Sequence, residues 1–154
     1  MEIFVNNLPN ILTIIGIAMS IVWSGIGSSK GAAMISKAAT ALISEQPEKF
    51  GQSLVLQMMA ASQGLYGFII GFLIFVNIDA ALTFQDALKY LGAGSIMGLS
   101  GYFTAIQQSV AATAGMQILA KKPEHSTKGV LYSAMIETFA IFAFVISVLI
   151  VLSV

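Results

Sequence analysis

The sequence predicts an all-α membrane protein with four transmembrane helices, arranged as two tandem helical hairpins. Of the 154 residues 57% are hydrophobic and only 9% are charged, whereas soluble domains carry about 25% charged residues. The apolar residues form long blocks, each sufficient to cross the roughly 30 Å of hydrocarbon in a bilayer. Because a segment in lipid must satisfy its own backbone polar groups, each block is predicted to be an α-helix.

Turn and charge signals separate the four blocks, and the whole chain, 1–154, is predicted to be one membrane domain. The predicted helices are 3–44, 47–78, 84–120 and 124–153. Proline fits the first turn of a helix but not its interior. We therefore expect Pro47 and Pro123 to begin the second and fourth helices, and Pro9 is a candidate for the same position in the first.

The lysines predict the orientation in the membrane. Six of the seven basic residues precede or follow the two hairpin turns, and only Lys89 lies on the other side; the six are Lys30, Lys37, Lys49, Lys121, Lys122 and Lys128. Loops rich in lysine remain in the cytoplasm. Both hairpin turns are thus predicted to be cytoplasmic, and both termini and the Asp79–Asp86 loop to face outward.

The two halves of the chain resemble each other. An offset of 76 aligns Ser24-Gly25 with Ser100-Gly101 and Pro47-Glu48 with Pro123-Glu124, and removal of two residues after the turn aligns Gln63 with Glu137. This pattern indicates duplication of a two-helix ancestor.

Small residues recur at every fourth position of the first and third helices. They are Gly16, Ser20, Ser24, Ser28, Ala32 and Ser36, and then Gly101, Ala105, Ser109 and Thr113. Such ridges allow close approach of helices in lipid. Two interpretations follow: packing within one bundle, or the inner wall of a ring of copies.

Composition excludes several kinds of site. The chain has no cysteine, a single histidine (His125) and no net charge, so disulfides, thiolate metal sites and multi-histidine sites are excluded, and nothing favours nucleic acid. The glycine-rich stretch 25–31 lacks the third glycine of a dinucleotide fingerprint, because Lys30 occupies that position, and it lacks the Gly-Lys-Ser/Thr of a P-loop.

Glu137 lies in the middle of the fourth predicted helix, with apolar neighbours on both sides. A charge at that depth costs roughly 2.5–3.5 kcal/mol on insertion scales, so such residues are functional candidates. The alternative is a protonated glutamic acid that only hydrogen-bonds a neighbouring helix.

Two amides are predicted at the same depth as Glu137. The stretches from Pro47 to Gln63, from Pro123 to Glu137 and from Gln108 to Pro123 are each about 15 residues long. With a helical rise of about 1.5 Å per residue, equal separations from the turns place Gln63, Gln108 and Glu137 at one level.

Helix two adds oxygen atoms near that level. Met59, Ser62, Gln63 and Tyr66 share one helix face by their i, i+3, i+4, i+7 spacing. Ser62 offers a hydroxyl, Gln63 an amide oxygen, and Tyr66 a phenol that can hold Glu137. Hard cations prefer oxygen ligands, and one carboxylate balances one monovalent charge. The pattern favours Na⁺; H⁺ is the alternative, since a proton requires only the carboxylate.

The chain resembles the proteolipid (K) subunit of bacterial V-type sodium ATPases over nearly its whole length. Four strings carry the resemblance: QPEKFGQ at 46–52, QGLYGF at 63–68, QILAKKPEH at 117–125 and IET at 136–138. The resemblance implies a closed ring of identical subunits in a bacterial cell membrane. The ring turns against a stator subunit with an arginine and docks on a central stalk through its hairpin turns, while ATP is hydrolysed elsewhere. The chain itself would not be an enzyme.

The resemblance also implies the ligands. Na⁺ would bind the side chains of Glu137, Gln63, Gln108 and Ser62 and the backbone carbonyl of Met59, and Tyr66 would hydrogen-bond Glu137. It selects Gln108 over the adjacent Gln107. Two departures are Ser62, where the family leads us to expect threonine, and Met59, where it leads us to expect leucine; the hydroxyl and the carbonyl remain.

Three alternative functions compete with the sodium-carrying ring. They are a proton-carrying ring, a small multidrug-type exporter with a buried glutamate, and a structural scaffold that would not need Glu137.

Overall fold

A computed structural model describes the backbone of residues 2–79 and 81–154 and, within those ranges, side chains from residue 7 onward. Residue 1 of the predicted domain and Ala80 of the predicted outer loop lie outside the described residues. So do the side chains at the start of the first predicted helix.

All regular structure in the described residues is helical. The α-helices are α1 (Glu2–Glu45), α2 (Phe50–Met58), α3 (Ser62–Val76), α4 (Phe84–Lys121) and α5 (Ser126–Leu152). A 3₁₀ turn, Met59–Ala61, joins α2 and α3 into one rod. The first hairpin consists of α1 and this rod, and the second consists of α4 and α5.

Proline marks two of the three predicted helix starts. Pro47 and Pro123 each begin a short 3₁₀ turn that leads into the following helix, where a missing N–H costs no hydrogen bond. The prediction for Pro9 is wrong, because α1 begins at Glu2 and Pro9 lies inside it. A proline there removes only one backbone hydrogen bond of a helix of 44 residues.

Three helical segments of the described chain are long and apolar enough to cross a membrane: Asn7–Glu45, Pro47–Val76 and Pro123–Leu152. The fourth predicted span, α4, is long enough at 38 residues but is not among them. Its buried positions are mostly small or polar, including Gly94, Gly98, Gln108 and Ser109. A helix that packs against other helices needs less apolar surface than one that faces lipid, so the four-helix fold stands.

The small-residue ridges are used in packing within the chain. A Cβ on Gly16 would lie 2.6 Å from the carbonyl oxygen of Tyr90 in α4. On the rest of the ridge, Ser20 Oγ donates to the carbonyl of Gly67 at 2.7 Å, and the amide of Gly64 donates to Ser28 Oγ at 2.7 Å. The ridges by themselves therefore support the first interpretation, a bundle, and not the ring.

The two hairpins repeat one another in their hydrogen bonds. Gln57 Nε2 donates to the carbonyl of Ala32 at 3.0 Å, and Ser133 Oγ donates to the carbonyl of Gln108 at 3.3 Å. Donor and acceptor are each displaced by the offset of 76 that the sequence indicated. The alignment of Gln63 with Glu137, which needs the removal of two residues, stays a prediction.

Lys30 does not lie near the hairpin turn. It lies about four helical turns before the end of α1, and its neighbour Gly31 packs against Ala105 and Ala60. Its ammonium lies 3.4 Å from the hydroxyl of Tyr102 and 5.4 Å from the centre of that ring. The assignment of this lysine to the flank of the turn was wrong, because the helix continues far beyond it.

Candidate functional site

Three oxygen atoms gather where the α2–α3 rod changes to a 3₁₀ turn. Ser62 begins α3, and its hydroxyl donates to the carbonyl of Met59 at 3.2 Å. The same hydroxyl lies 3.3 Å from Oε1 of Gln63. A 3₁₀ turn has poorer hydrogen-bond geometry than an α-helix, which suits a place where a backbone carbonyl faces side chains.

Two amides connect this oxygen cluster to the carboxylate. Gln63 and Gln108 are both 0% exposed. Gln63 Nε2 donates to Gln108 Oε1, and Gln108 Nε2 donates to Glu137 Oε2 at 3.3 Å. Buried amides are costly unless their polar atoms are paired, and these two pair with each other and with the residues on either side.

Tyr66 holds the other carboxylate oxygen. Its hydroxyl donates to Glu137 Oε1 at 2.7 Å, and its ring lies 5.1 Å from the ring of Phe144. Glu137 itself is half-buried on α5. The carboxylate is thus fixed from two helices, by a phenol of α3 and an amide of α4.

All six residues singled out from the sequence lie in one hydrogen-bonded network. It runs from the Met59 carbonyl through Ser62, Gln63 and Gln108 to Glu137, and ends at Tyr66. Gln107, which spacing alone could not separate from Gln108, is exposed. We call these six residues the polar network.

The charge of the polar network is that of one carboxylate. Among the described residues no group of three or more histidine, cysteine, aspartate or glutamate side chains comes together. The remaining members are amides, a hydroxyl, a phenol and a carbonyl. One negative charge with neutral oxygen ligands can balance one positive charge, and a divalent cation would leave an excess in the membrane.

Two positioning contacts were not found from the sequence. Ser133 on α5 donates to the backbone carbonyl of Gln108 at 3.3 Å, and Ser28 on α1 accepts the backbone amide of Gly64 at 2.7 Å. They attach the helix segments that carry Gln108 and Gln63 to neighbouring helices. The repeat offset was a signal for the first, since Ser133 follows Gln57 by 76 positions.

Comparison with known proteins gives the family. The profile of the ATP synthase C-subunit family matches the chain twice, at residues 15–74 and 91–150. The chain belongs to this family. The two matched segments are displaced by the same offset of 76 at both ends, so the family unit is one hairpin and the chain holds two of them.

Similar proteins carry related names. The chain is 50% identical over 143 residues to "V-type sodium ATPase subunit K" of Enterococcus hirae, covering 93% of this chain and 92% of the relative. It is 32% identical over 146 residues to "A-type ATP synthase subunit K" of Methanocaldococcus jannaschii, covering 95% of this chain and 64% of the relative. It is 26% identical over 135 residues to "V-type proton ATPase 16 kDa proteolipid subunit" of Entamoeba dispar, covering 87% of this chain and 77% of the relative.

Membership of the family confirms the resemblance seen in the sequence. The chain is a membrane proteolipid subunit of an ion-translocating ATPase, which is a non-catalytic rotor subunit and not an enzyme. This identification replaces the exporter and scaffold alternatives. The two-hairpin, all-α architecture is the one predicted.

Proposed function

We propose that this chain forms the rotor ring of a bacterial V-type ATPase and carries Na⁺ across the membrane on Glu137. The observation that carries the proposal is the polar network, in which one half-buried carboxylate is joined to two fully buried amides, a hydroxyl and a backbone carbonyl. The sodium-transporting name of the 50% identical relative supports the choice of ion.

The ligands suit a small hard cation. The proposed donors are the carboxylate of Glu137, the amide oxygens of Gln63 and Gln108, the hydroxyl of Ser62 and the carbonyl of Met59. Hard cations take oxygen ligands and need a compensating charge. A proton would need the carboxylate alone, and the amide oxygens would then have no role as ligands.

Binding of Na⁺ would require the amide of Gln108 to turn. Gln108 presents its Nε2 to Glu137 and its Oε1 to Gln63, whereas Gln63 already presents its Oε1 to Ser62. The two ends of an amide are nearly equal in size, so half a turn about the last side-chain bond exchanges a donor for an acceptor. In the proposed cycle an N–H of Gln108 faces the carboxylate when the cation is absent, and its amide oxygen faces the cation when it is bound.

Charge explains why the ion must travel with the ring. With Na⁺ bound, the charges of the ion and of Glu137 cancel, so the site can face lipid. Without Na⁺ the bare carboxylate is costly in the membrane and needs another cation beside it. The sequence has no arginine, and the lysine nearest in depth, Lys30, contacts Tyr102. We therefore propose an arginine of a stator subunit as the partner.

The remaining partners are proposed from the family resemblance and from the positions of the lysines. Identical copies form the ring, and lipid surrounds it. The cytoplasmic hairpin turns, at Pro47 and Pro123, dock on a central stalk subunit, and both termini and the Asp79–Asp86 loop face outward. The location is a bacterial cell membrane. No nucleic acid takes part.

A carbodiimide experiment tests the ion. A hydrophobic carbodiimide reacts with a protonated carboxyl group in the membrane, and Glu137 is the only acid in the middle of a predicted helix; every other acid lies at a helix end or in a turn. We expect Na⁺ to slow this labelling, and more strongly as pH rises, because Na⁺ and H⁺ compete for one carboxylate.

Ligand variants sharpen the test. Gln63→Ala and Gln108→Ala should still be labelled but need about tenfold more Na⁺ for half-protection, which corresponds to about 1.4 kcal/mol for one lost ligand. Glu137→Gln should abolish labelling and transport. Gln107→Ala, an exposed amide beside the network, is the matched control and should behave like the parent.

The proton alternative has its own outcome. Relatives named as proton ATPase subunits belong to the same family, so a ring that carries H⁺ is the competing function. Labelling that does not respond to Na⁺ at any concentration would establish it and would contradict the sodium proposal.

A further inference from the structure

An open groove lies between α1 and α2 near the first hairpin turn. It has a volume of about 420 Å³, and its lining includes Ser36, Ala39, Ile43, Ser53, Leu54 and Gln57. Gln57 uses its nitrogen fully, since Nε2 donates to the carbonyl of Ala32 at 3.0 Å and to Ser36 Oγ at 2.9 Å. Its Oε1 is buried and has no hydrogen-bond partner. A buried acceptor without a partner is destabilising, and a donor supplied by a second copy of the chain would relieve that cost.

The second hairpin contains the same groove 76 positions later, and there it is filled. The corresponding residues are Ala112, Gly115, Leu119, Gly129, Val130 and Ser133. Leu56 of the first hairpin occupies it: Leu56 is fully buried, in one apolar cluster with Ala112 and Leu119. A Cβ on Gly115 would lie 2.9 Å from Leu56 Cδ2.

The residue that corresponds to Leu56 is exposed. Seventy-six positions after Leu56 lies Tyr132, on α5, with 63% of its surface exposed. Leu56 follows Pro47 by nine residues and Tyr132 follows Pro123 by nine, so both side chains lie at the same depth. Of these two repeat-related grooves one is filled and one is open, and of the two repeat-related side chains Leu56 is buried and Tyr132 is exposed.

We propose that Tyr132 of one copy inserts into the open groove of the next copy in the ring and donates its phenolic O–H to Gln57 Oε1. This inference rests on the proposed ring and specifies how its subunits meet. The contact is head-to-tail, which is the type of contact that closes into rings. A buried tyrosine normally finds a partner for its hydroxyl, and Gln57, which lines this groove, carries an Oε1 that has no partner among the described residues.

The glycines give the same direction of packing independently. Gly16 and Gly101 are both tightly packed in the chain, since a Cβ on them would lie 2.6 Å from Tyr90 O and 2.8 Å from Ser24 Cβ. Their repeat counterparts are Gly92 and Gly25, and no other part of the described chain lies within 4 Å of such a Cβ on either of them. In the ring, Gly92 of one copy would approach α1 of the next, and Gly25 would approach α4 of the preceding copy.

Disulfide formation tests the register, and the sequence has no cysteine to interfere. Ala39 is the counterpart of Gly115, the residue that Leu56 touches. We expect the double variant Ala39→Cys/Tyr132→Cys, oxidised in the assembled ring, to give a ladder of covalent oligomers on a denaturing gel. The matched control, Ala39→Cys/Leu131→Cys, moves the second cysteine to a neighbouring exposed residue about 100° around α5 and should give none.

Single variants establish the head-to-tail geometry. Neither Ala39→Cys nor Tyr132→Cys alone should form dimers, whereas rings that mix the two should form dimers and nothing larger. Dimers from one single variant would mean a two-fold contact and would overturn the proposal, as would a ladder of equal strength from the Leu131 control. An intact ring without a ladder overturns this register alone; a native mass of one or two chains overturns the ring, and with it the proposed function.

The hydrogen bond has a separate test. Tyr132→Phe and Gln57→Met should each lower the temperature at which the ring dissociates in detergent, and the double variant should lower it no further than the larger single effect. Leu131→Phe should leave that temperature unchanged. Strictly additive losses would mean that the phenol and the amide do not meet.

Discussion

At the scale of single residues, the polar network is directional. Gln63 donates to Gln108, and Gln108 donates to Glu137, while the Ser62 hydroxyl is shared between the Met59 carbonyl and Gln63 Oε1. The two amide donors therefore point towards the single carboxylate, and Tyr66 adds one more from the other side. Bonds that end on a charged acceptor are about twice as strong as neutral ones, so Glu137 is the group that orders the other side chains.

Tyr66→Phe should weaken the hold on the ionised carboxylate. It removes a hydrogen bond of 2.7 Å to Glu137 Oε1, and bonds to charged groups contribute roughly 1.5–3 kcal/mol. The Na⁺-free and the Na⁺-bound forms both contain the ionised carboxylate that Tyr66 stabilises. Loss of this hydrogen bond therefore favours the protonated form relative to both. We expect faster carbodiimide labelling at a fixed pH and at least a tenfold rise in the Na⁺ concentration for half-protection.

The control for this prediction is the same change on another face. Tyr102→Phe removes a phenol that contacts Lys30, outside the polar network, and should leave labelling and protection unchanged. Equal effects of the two variants would show that the Tyr66 hydroxyl does not act on Glu137.

The residues of the network were predictable for a simple reason. The prolines of the two turns fix the start of each helix, and the helical rise then fixes depth, so Gln63, Gln108 and Glu137 could be placed at one level. Orientation around a helix was less certain: Gln108 was separated from Gln107 by resemblance and not by spacing. The level of Lys30 was missed because the position of a lysine before a turn does not show how far the helix extends beyond it.

At the scale of elements, contact between α1 and α4 organises the fold. Backbone meets backbone there, as the carbonyl of Tyr90 shows beside Gly16. The sequence predicted both ridges and four helices. The lower apolar content of α4 can be read from its residues, but the sequence did not show that α1, α3 and α5 cover this helix.

Gly16→Ala should destabilise this contact. The added Cβ would lie 2.6 Å from Tyr90 O and 2.9 Å from the Cα of Leu91, both backbone atoms that move only with their helix. Overpacking of this kind costs about 1–3 kcal/mol, so thermal unfolding in detergent should begin several degrees lower. Gly51→Ala, where no other part of the described chain lies within 4 Å of the added Cβ, should be neutral or slightly stabilising; equal losses from both would contradict the packing argument.

The outer end of α4 should respond to acid. Thr83 and Asp86 form a capping box: Thr83 Oγ1 accepts the amide of Asp86 at 3.2 Å, and Asp86 Oδ2 accepts the amide of Thr83 at 3.3 Å. The Thr83 hydroxyl, which donates to this carboxylate, holds the pKa of Asp86 below its usual value of 3.8. Asp86 lies before the uncharged stretch of α4, 90–120, that would cross the hydrocarbon.

The sign follows from the lowered pKa. A carboxyl group whose pKa is lower in the folded state stabilises that state above its unfolded pKa, and the effect is lost as pH falls through the folded pKa. We expect hydrogen-exchange protection in the first turn of α4 to be constant near neutrality and to fall only below about pH 4. Thr83→Ala should remove this step, and a step that persists in the variant would assign it to another group.

At the scale of the whole molecule, the two hairpins point the same way. Lys49, beside the first turn, donates to the carbonyl of Ala120 at the end of α4 at 2.9 Å. At the other end Lys89 donates to the carbonyl of Ser153 at 3.0 Å. A lysine at a helix C-terminus is favoured by the helix dipole, and these two contacts tie the hairpins together at both ends.

The position of Lys30 changes the lysine count on which the predicted orientation rests. With Lys30 assigned to the middle of α1, five lysines still lie near the hairpin turns, and Lys89 alone lies near the Asp79–Asp86 loop. The excess of lysines that predicts cytoplasmic turns is therefore five against one instead of six against one, and the predicted orientation is unchanged.

Cysteine accessibility tests this orientation on a background without native cysteines. Ser44→Cys and Ser126→Cys place a thiol at each hairpin turn, and Ala81→Cys places one in the loop at the other end. A maleimide that cannot cross the membrane should label the first two only in inside-out vesicles and Ala81→Cys only in right-side-out vesicles.

Within the assembled ATPase, a crosslinker on Ser44→Cys or Ser126→Cys should join the ring to the stalk subunit, because the turns are the parts of the ring that extend towards the cytoplasm. Stalk crosslinks from Ala81→Cys would invert the topology: the lysine argument would then be wrong, while the fold and the polar network would stand unchanged.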